Sequence, residues 1–364
     1  MIKSLVENFS PHNHLIIWLF TAFILAYFIA AQTFPTILFV AKEKHLMDEP
    51  DSRSMHADRT PTLGGIGIFL SLIVVMTLIG AFLNTKVLLL VMGGVTILFF
   101  LGLKDDLTVL SAGKKFGGQL LVVALLVIFT DTRIIGFSNI LHIDVLPYSI
   151  SIGFTLFVYI LIINAFNLID GVDGLAGTIA FCISGIFVYF FVNAGNLSLA
   201  TIAIALCGAL IAFLRLNFSK DNKIFMGDTG SMIVGFLLAF FTISFINTAQ
   251  TDIDSIYYRA SPALAFALLF YPLLDTLRIF FIRIFIHKAS PFKADKNHIH
   301  HRFVQKGFSH RRTTLLISVI NLIIIVIAFN LLHLDLNNQI ICLLLYGSVL
   351  YMSPFAIKKI LNKA

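Results

Sequence analysis

Residues 174–193 read GLAGTIAFCISGIFVYFFVN and residues 197–214 read LSLATIAIALCGALIAFL, two apolar stretches without a charged residue. A transmembrane helix needs about 20 consecutive, mostly apolar residues to cross the hydrocarbon core of a bilayer. Only Ala194, Gly195 and Asn196 separate the two stretches. The pattern therefore predicts two membrane-spanning helices that run in opposite directions and are joined by a tight turn.

The same pattern recurs along the whole chain of 364 residues. Hydrophobic residues make up 58% of it and charged residues only 12%, whereas soluble domains are about 25% charged. This composition excludes an ordinary soluble enzyme and a disordered chain. It predicts an all-α polytopic integral membrane protein that forms a single membrane-embedded domain over residues 1–364. Eleven apolar runs are long enough to span: 15–41, 64–83, 87–103, 117–130, 150–166, 174–193, 197–214, 230–249, 260–286, 313–332 and 339–357.

Basic residues orient the chain, because Lys and Arg are enriched in cytoplasmic loops. With the N-terminus outside and the C-terminus inside, 22 of the 26 Lys and Arg residues fall on the cytoplasmic side. The four that fall outside are Lys3, Lys86, Arg133 and Arg259. Basic residues beside an anionic leaflet also explain the net charge of +7, so no nucleic-acid partner is expected. The outer segment 131–149 alternates apolar and polar residues, which predicts a short β-hairpin.

Polar motifs concentrate in the predicted cytoplasmic loops. PTLGGIG at 61–67 opens the second span, where glycines allow close backbone approach, although helix packing alone explains them equally well.

Asp105 and Asp106 end the third span. Adjacent carboxylates there repel each other and are costly to desolvate, so a cation would stabilise them, although a solvated polar loop is the simpler interpretation of this pair alone. Asp275 and Arg278 are spaced for a helix ion pair near the inner interface, and a functional role for them stays open.

The densest motif is NAFNLIDGVDGLAG at 164–177. Asn164, Asn167, Asp170 and Asp173 recur every three residues, and on a helical turn this spacing keeps them on one side. Carboxylate and amide oxygens are the ligands that Mg²⁺ prefers, and the ion usually keeps substrate phosphates in its shell. The motif therefore favours a Mg²⁺ site over a turn with capping side chains.

Two further motifs lie on the predicted cytoplasmic face of the membrane. FMGDTGS at 225–231 opens the eighth span, where Asp228 either caps the helix or holds a metal whose phosphate ligand faces the helix N-terminus. Taken alone, this motif favours capping. The inner loop 287–312 contains PFKADKNHIHHR at 291–302. Its three His and its Arg match phosphate oxygens better than a zinc site, because no Cys and no partner motif accompanies them.

Together these motifs predict Mg²⁺ holding a polyphosphate at the cytoplasmic face. Access from the cytoplasm favours a nucleotide-linked donor, and the many spans favour a lipid acceptor in the bilayer. Phosphoryl transfer needs mainly positioning and charge neutralisation, so the residues predict a membrane phosphotransferase. A transporter is disfavoured, because its polar groups would lie near the bilayer midplane. A CDP-alcohol phosphotransferase stays as an alternative, although the continuation Asp-Gly-x-x-Ala-Arg is absent at Asp170-Gly171.

The order and loop placement of these motifs resemble the polyprenyl-phosphate N-acetylhexosamine-1-phosphate transferases of glycosyltransferase family 4. The resemblance extends over residues 20–350 and rests on PTLGG, the Asp105-Asp106 pair, the 164–176 motif, GDTGS and HIHHR. It implies that a UDP-N-acetylhexosamine gives its sugar 1-phosphate to a polyprenyl phosphate, such as undecaprenyl phosphate, and that UMP leaves. It also implies a bacterial inner membrane and an active site that faces the cytoplasm.

The resemblance implies roles for individual residues. Asn167 and Asp228 would hold Mg²⁺, or Mn²⁺, with the donor pyrophosphate. Asp105 would activate or orient the acceptor phosphate or support the metal, and these three roles stay open. The other residues to which the resemblance gives catalytic or substrate-binding roles are Asp106 beside Asp105, Asp170 and Asp173 around the nucleotide and metal, Asn164 in the substrate site, and His298, His300, His301 and Arg302 at the sugar or phosphates.

The histidine motif separates branches of this family. Phospho-N-acetylmuramoyl-pentapeptide transferases carry three consecutive His followed by Phe and Glu, whereas this chain has HIHHR at 298–302. The resemblance is therefore to the branch that uses simpler sugars. UDP-GlcNAc is the leading donor, UDP-GalNAc and rarer N-acetylated sugars stay open, and the pentapeptide donor is the alternative. The product would initiate a lipid-linked surface glycan, such as O-antigen, another polysaccharide or a wall polymer. A homodimer is compatible with the sequence.

Overall fold

The structure, a computed structural model, describes residues 13–44, 46, 60–80, 82–83, 85–140, 143–251, 256–288 and 297–361. Apolar helices dominate these residues. Their bounds are α1 Leu15–Glu43, α2 Gly64–Gly80, α3 Thr85–Thr108, α4 Ala112–Thr130, α5 Tyr148–Ile169, α6 Leu175–Asn193, α7 Leu197–Asn217, α8 Gly227–Thr251, α9 Ser261–Leu268, α10 Phe270–Phe281 with a π-helical turn Ile282–Ile286, α11 Ile299–Gln305, α12 His310–Asn330 and α13 Leu336–Leu361.

Most of these helices have the length and composition of membrane spans. Among the described residues, eight helices are long and apolar enough to cross a membrane, and α9 with α10 makes a ninth if the bent pair is one span. The other two predicted runs, 64–83 and 339–357, lie on α2 and α13. The prediction of an all-α polytopic membrane protein is confirmed, and the count of eleven spans stays a prediction.

The core is built around α8. Every residue of its spanning window is buried, as expected of a helix that is apolar on all sides. Helices α2, α3 and α5 pack directly against it. Gly235 shows how closely α5 approaches, because a Cβ at this position would lie 2.8 Å from Cα of Ile163. Since α8 begins at Gly227, this packing gathers the ends of the neighbouring helices around Asp228.

The run 260–286 was expected to form one continuous span, but it is broken. Helices α9 and α10 are bent by 77°. Pro272 has no N–H to donate to the carbonyl of Leu268, and Asn321 of α12 supplies that donor, with Nδ2 at 3.2 Å from the carbonyl oxygen. Oδ1 of Asn321 accepts the N–H of Tyr271 at 3.1 Å. One buried amide therefore satisfies both backbone groups that the bend exposes.

The hairpin predicted within 131–149 is present. Strand β1 (Gly136–Ile140) pairs antiparallel with β2 (Ile143–Val145). Nε2 of Gln250, near the end of α8, donates to Oγ of Ser138 at 2.6 Å. The hairpin therefore lies at the end of α8 opposite Asp228.

Candidate active site

The start of α8 is capped by a carboxylate from another helix. The first N–H groups of a helix have no partner inside it, and Asp106 at the end of α3 accepts hydrogen bonds there. Its Oδ1 lies 2.7 Å from the backbone nitrogen of Asp228, and its Oδ2 lies 3.0 Å from the nitrogen and 2.5 Å from Oγ1 of Thr229. The interpretation of Asp228 as the cap of its own helix is therefore wrong, because Asp106 already accepts from these donors.

The Asp228 carboxylate faces α4 and α5 instead. Nζ of Lys115 lies 2.9 Å from its Oδ2. The side-chain amide of Asn167 donates to its Oδ1 and, at 2.9 Å, to Oγ of Ser231. Lys115 also forms an ion pair with Oδ2 of Asp105. One ammonium group thus joins a carboxylate from α3 to a carboxylate from α8, and we call Asp105, Lys115, Asn167 and Asp228 the carboxylate cluster.

Asp105 is buried, with 6% of its surface exposed. Besides its pair with Lys115, its Oδ1 accepts the backbone N–H of Leu110 at 2.5 Å. A buried carboxylate is costly unless it is paired, so the charge of Asp105 depends on Lys115. In the sequence, Lys115 is only one of many basic residues that are predicted to be cytoplasmic. The signal that could have identified it is its place in the first turn of an apolar helix, close to an acidic pair.

The loop before α2 pairs with the segment before α8, as its glycines suggest. The N–H groups of Gly64 and Gly65 donate to the carbonyls of Phe225 and Met226, each at 2.9 Å. A Cβ at Gly65 would lie 2.2 Å from the backbone nitrogen of Gly230, so no larger residue fits. This close backbone contact fixes the entry to α8 and, with it, the position of the carboxylate cluster.

Asn164 and Asn167 lie one turn apart on α5, yet they contact different groups. Asn167 belongs to the carboxylate cluster. Nδ2 of Asn164 lies 3.0 Å from Oε1 of Gln119 on α4, and Gln119 is almost wholly buried. The structure therefore brings Asn167 to Asp228 and gives Asn164 a separate amide pair between α4 and α5.

Asp170 and Asp173 follow α5, and the pKa values of their carboxyl groups are shifted in opposite directions. Burial and the nearby charge of Asp228 raise the pKa of Asp170 well above its usual value. Burial alone would also raise the pKa of Asp173, but hydrogen bonds from His310 and Lys223 lower it. Nζ of Lys223 lies 2.6 Å from Oδ2 of Asp173. Asp173 is thus a compensated anion, whereas Asp170 would be stabilised by an additional cation.

Asp170→Asn is expected to stabilise the metal-free protein, with a Tm about 2–4 °C higher at pH 8. A raised pKa means that ionising Asp170 destabilises the fold. That cost is absent below the unfolded pKa, grows as the pH rises from the unfolded to the folded pKa, and is constant above the folded pKa. Thermal unfolding in detergent with a chelator, at pH 4 and pH 8, measures the difference. The exposed Asp221→Asn is the control. An unchanged or lower Tm for Asp170→Asn at pH 8 would contradict the electrostatic assignment.

His298 and His300 are buried, with 3% and 0% of their surfaces exposed. Nδ1 of His298 lies 2.7 Å from Oδ2 of Asp275, and Nδ1 of His300 lies 3.0 Å from the hydroxyl oxygen of Tyr271. Burial lowers the pKa of His300 well below its usual value, so its ring is neutral at pH 7. A Cβ at Gly171 would lie 3.1 Å from Nε2 of His300. The histidine motif therefore meets the turn that carries Asp170.

The rest of the histidine motif is more accessible. His301 is half-buried, with its ring centroid 4.3 Å from that of His300, and Arg302 is exposed on α11. Residues 289–296 of the predicted anion-recognition loop lie outside the described residues, and they include Pro291 and Phe292.

The ion pair expected between Asp275 and Arg278 is present, but it is long, at 3.4 Å. Asp275 lies closer to His298, and its Oδ1 accepts the backbone N–H of Ile299 at 2.8 Å. Its main contacts therefore tie α10 to the start of α11. Sequence spacing alone does not predict this role, because these partners lie 23 and 24 residues further along the chain.

Comparison with known proteins shows which family this chain resembles. The profile of glycosyl transferase family 4 matches residues 88–246. A decaprenyl-phosphate N-acetylglucosaminephosphotransferase of Mycobacterium tuberculosis is 32% identical over 328 residues, covering 82% of this chain and 77% of the relative. The chain belongs to glycosyl transferase family 4. A second relative, the undecaprenyl-phosphate alpha-N-acetylglucosaminyl 1-phosphate transferase of Escherichia coli, is 29% identical over 291 residues, covering 77% of this chain and 75% of the relative.

The family 4 match contains the whole carboxylate cluster, together with Asp106, Asp170 and Asp173. The histidine motif lies beyond residues 88–246, but His300 contacts the matched region at Gly171. The family profile and the relatives confirm the resemblance to family 4 that the motifs suggested. The contact at Gly171 joins the histidine motif to the matched region.

Proposed function

We propose that this family 4 protein transfers N-acetylglucosamine 1-phosphate from UDP-N-acetylglucosamine to a polyprenyl phosphate and releases UMP. The observation that carries the proposal is the carboxylate cluster, in which Lys115 holds a positive charge between Asp105 and Asp228. The cluster lies at the ends of apolar helices, where a soluble nucleotide and a lipid phosphate held in the bilayer can meet. The names of the relatives, which specify a polyprenyl phosphate and N-acetylglucosamine phosphate transfer, support the same reaction.

The bonds that change define what the chain must do. An oxygen of the lipid phosphate attacks the β-phosphorus of the nucleotide sugar, and the bond from that phosphorus to the bridging oxygen breaks, so UMP leaves. A phosphate monoester has its second pKa at about 6, so the acceptor is largely ionised at pH 7 and needs little help from a base. We assign Lys115 to neutralise phosphate charge, Asp105 to orient Lys115, and Asp106 to hold Asp228 in place by capping α8.

Mg²⁺, or Mn²⁺ in its place, fits this cluster. Asn167 and Asp228 would hold the ion through their side-chain oxygens, and bound Mg²⁺ supplies charge neutralisation for the donor diphosphate. Ionising Asp170 is costly without a cation, because burial and neighbouring carboxylates raise its pKa, so a cation bound nearby would favour its charged form. Within the part of the chain that the structure describes, no three His, Cys, Asp or Glu side chains form a metal-binding group. This is consistent with an ion that takes few protein ligands and completes its shell with phosphate and water.

The substrate contacts follow from the two meeting motifs. We assign the sugar and phosphate contacts to His298, His300, His301 and Arg302, and the ordering of the nucleotide and metal to Asp170 and Asp173. Asn164 acts through its pair with Gln119, which holds α5 against α4.

A panel of donors tests the proposed function. Purified protein would be given undecaprenyl phosphate, Mg²⁺ and one donor, either UDP-GlcNAc, UDP-GalNAc, a UDP-muramoyl-pentapeptide or a CDP-alcohol, and the lipid products would be read by mass spectrometry. We expect a polyprenyl-diphosphate sugar from UDP-GlcNAc. A lipid product from the pentapeptide donor alone, or from the CDP-alcohol alone, would overturn the proposal.

We also propose eleven spans in a bacterial inner membrane, with the N-terminus outside, the C-terminus inside and the site facing the cytoplasm. Lys306 and Asp144 are exposed on opposite sides in this topology. Each would be replaced by Cys in a background that lacks Cys182, Cys207 and Cys342. An impermeant thiol reagent should label position 144 in intact spheroplasts and position 306 only after lysis. Labelling of position 306 in intact spheroplasts would contradict the orientation.

A further inference from the structure

Helix α10 presents two polar side chains to the histidine motif. Tyr271 and Asp275 are spaced i, i+4, so they lie on the same face of the helix. Both are completely buried, at 0% exposure. Asp275 contacts Nδ1 of His298 and Tyr271 contacts Nδ1 of His300. The two imidazole rings are nearly parallel, with centroids 5.3 Å apart and planes inclined by 14°. Since both Nδ1 atoms face α10, both Nε2 atoms lie on the far side of the rings.

The contact with Asp275 fixes the proton of His298. An ionised carboxylate only accepts hydrogen bonds. The backbone N–H of Ile299 and the guanidinium of Arg278 both approach Oδ1, at 2.8 Å and 3.4 Å, and favour the ionised form. Oδ2, at 2.7 Å from Nδ1 of His298, must then accept from an Nδ1–H group. The neutral ring of His298 therefore has an unprotonated Nε2, which accepts hydrogen bonds.

The contact with Tyr271 fixes the proton of His300 in the opposite way. Among the described residues, His300 is the hydrogen-bond partner found for the Tyr271 hydroxyl, with the oxygen 3.0 Å from Nδ1. A phenolic hydrogen donated to Nδ1 satisfies both groups, whereas a proton on Nδ1 would leave the buried phenolic hydrogen without an acceptor among the described residues. Oδ2 of Asp275 lies 3.9 Å from Nδ1 of His300, too far to accept a hydrogen bond from it. The neutral ring of His300 then carries its proton on Nε2. That atom is buried, has no hydrogen-bond partner among the described residues, and lies against the turn at Gly171.

We propose that Tyr271 and Asp275 are positioning residues that hold His298 and His300 in opposite tautomers, so that the site offers an acceptor at Nε2 of His298 and a donor at Nε2 of His300. The unpartnered Nε2–H of His300 points to the turn that carries Asp170, where it can donate to a phosphate or carbonyl oxygen of the nucleotide sugar. The identity of this ligand rests on the proposed function, whereas the tautomers rest on the hydrogen bonds alone.

Nitrogen NMR tests the tautomers directly. The full chain would be labelled with ¹⁵N-histidine, reconstituted in nanodiscs, and its signals assigned with His298→Gln and His300→Gln. Protonated and unprotonated imidazole nitrogens give well-separated ¹⁵N shifts. We expect Nδ1–H with a bare Nε2 for His298, and a bare Nδ1 with Nε2–H for His300. The same tautomer at both residues would overturn the proposal.

Substitutions then separate positioning from packing. Tyr271→Phe keeps the ring and removes the hydroxyl, and Tyr351→Phe is the matched control. Tyr351 is also buried, its ring lies 5.4 Å from that of Tyr271, and its hydroxyl has no partner among the described residues. We expect Tyr271→Phe to mix the His300 tautomers and leave His298 unchanged, and Asp275→Asn to alter His298. Tyr351→Phe should alter neither.

Activity provides the second measurement. Residues that orient metal-bound histidines contribute about ten- to a hundredfold to activity. We expect a fall of the same size in kcat/KM for UDP-GlcNAc in Tyr271→Phe, with Tyr351→Phe close to wild type. A fall in activity of Tyr271→Phe with unchanged ¹⁵N signals would overturn the positioning role. If the wild-type protein used no UDP-sugar but gave the expected ¹⁵N pattern, the proposed function would fail and the tautomer assignment would stand.

Discussion

Asp228→Asn is expected to lower kcat for sugar-phosphate transfer by about a thousandfold, equivalent to about 4 kcal/mol of transition-state stabilisation. The asparagine keeps the size of the side chain but removes the charge that Lys115 and Asn167 contact. It also removes the carboxylate oxygens proposed to hold Mg²⁺. A lost metal ligand forfeits several kcal/mol of charge stabilisation. Steady-state rates over a range of Mg²⁺ concentrations measure the effect.

The control for this substitution lies in the loop that precedes α8. Asp221 precedes α8, is exposed, and loses the same charge in Asp221→Asn. We expect this variant to retain wild-type turnover, and both variants to unfold near the wild-type Tm in detergent. An Asp228→Asn protein that folds and keeps more than a tenth of wild-type kcat would contradict the role given to this carboxylate.

Lys115→Gln is expected to lower kcat by about a hundredfold, the scale seen when one preorganised donor to a developing charge is removed. The lysine bridges Asp105 and Asp228, so its loss leaves a buried and a half-buried carboxylate facing each other. Breaking such a pair by removing one partner also destabilises the fold. We therefore expect a lower Tm together with the lower kcat, and partial recovery of Tm when Asp105→Asn is added to Lys115→Gln.

The adjacent lysine gives the matched control. Lys114 is exposed, whereas Lys115 points into the cluster with 19% of its side chain accessible. Lys114→Gln removes the same charge from the same turn of α4 and should leave kcat and Tm close to those of the wild type. Equal losses in the two variants would mean that general attraction of anionic substrates, and not the bridge, explains the effect.

The sequence predicted that these motifs share one membrane face, because that is where apolar length and basic residues put all of them. The structure brings PTLGG, the Asp105-Asp106 pair, Asn167 and GDTGS together around the start of α8, and it places the histidine motif against the turn at Gly171. The all-α fold and the hairpin within residues 131–149 also follow from local patterns. These features depend on composition and short-range periodicity, which a single sequence displays.

The contacts within the site depend on long-range packing and were not predictable. Asp106 caps a helix that begins 121 residues later in the chain, at Gly227, so the capping interpretation of Asp228 was wrong. Lys115 gains its importance only when α4 lies beside α3 and α8. The bend between α9 and α10 needs Asn321 from another helix. Each of these features is a pairing of distant polar groups in an apolar environment, for which the sequence gives no spacing rule.

The most direct test of the account follows the β-phosphate of the donor. UDP-GlcNAc labelled with ³²P at the β-phosphate would be incubated with the purified protein, undecaprenyl phosphate and Mg²⁺, and the lipid and aqueous phases would be separated. Transfer of a sugar 1-phosphate predicts that the label enters the lipid in step with the release of unlabelled UMP. Label that stays in the aqueous phase as UDP while the sugar enters the lipid would show transfer of the sugar alone and would contradict the account.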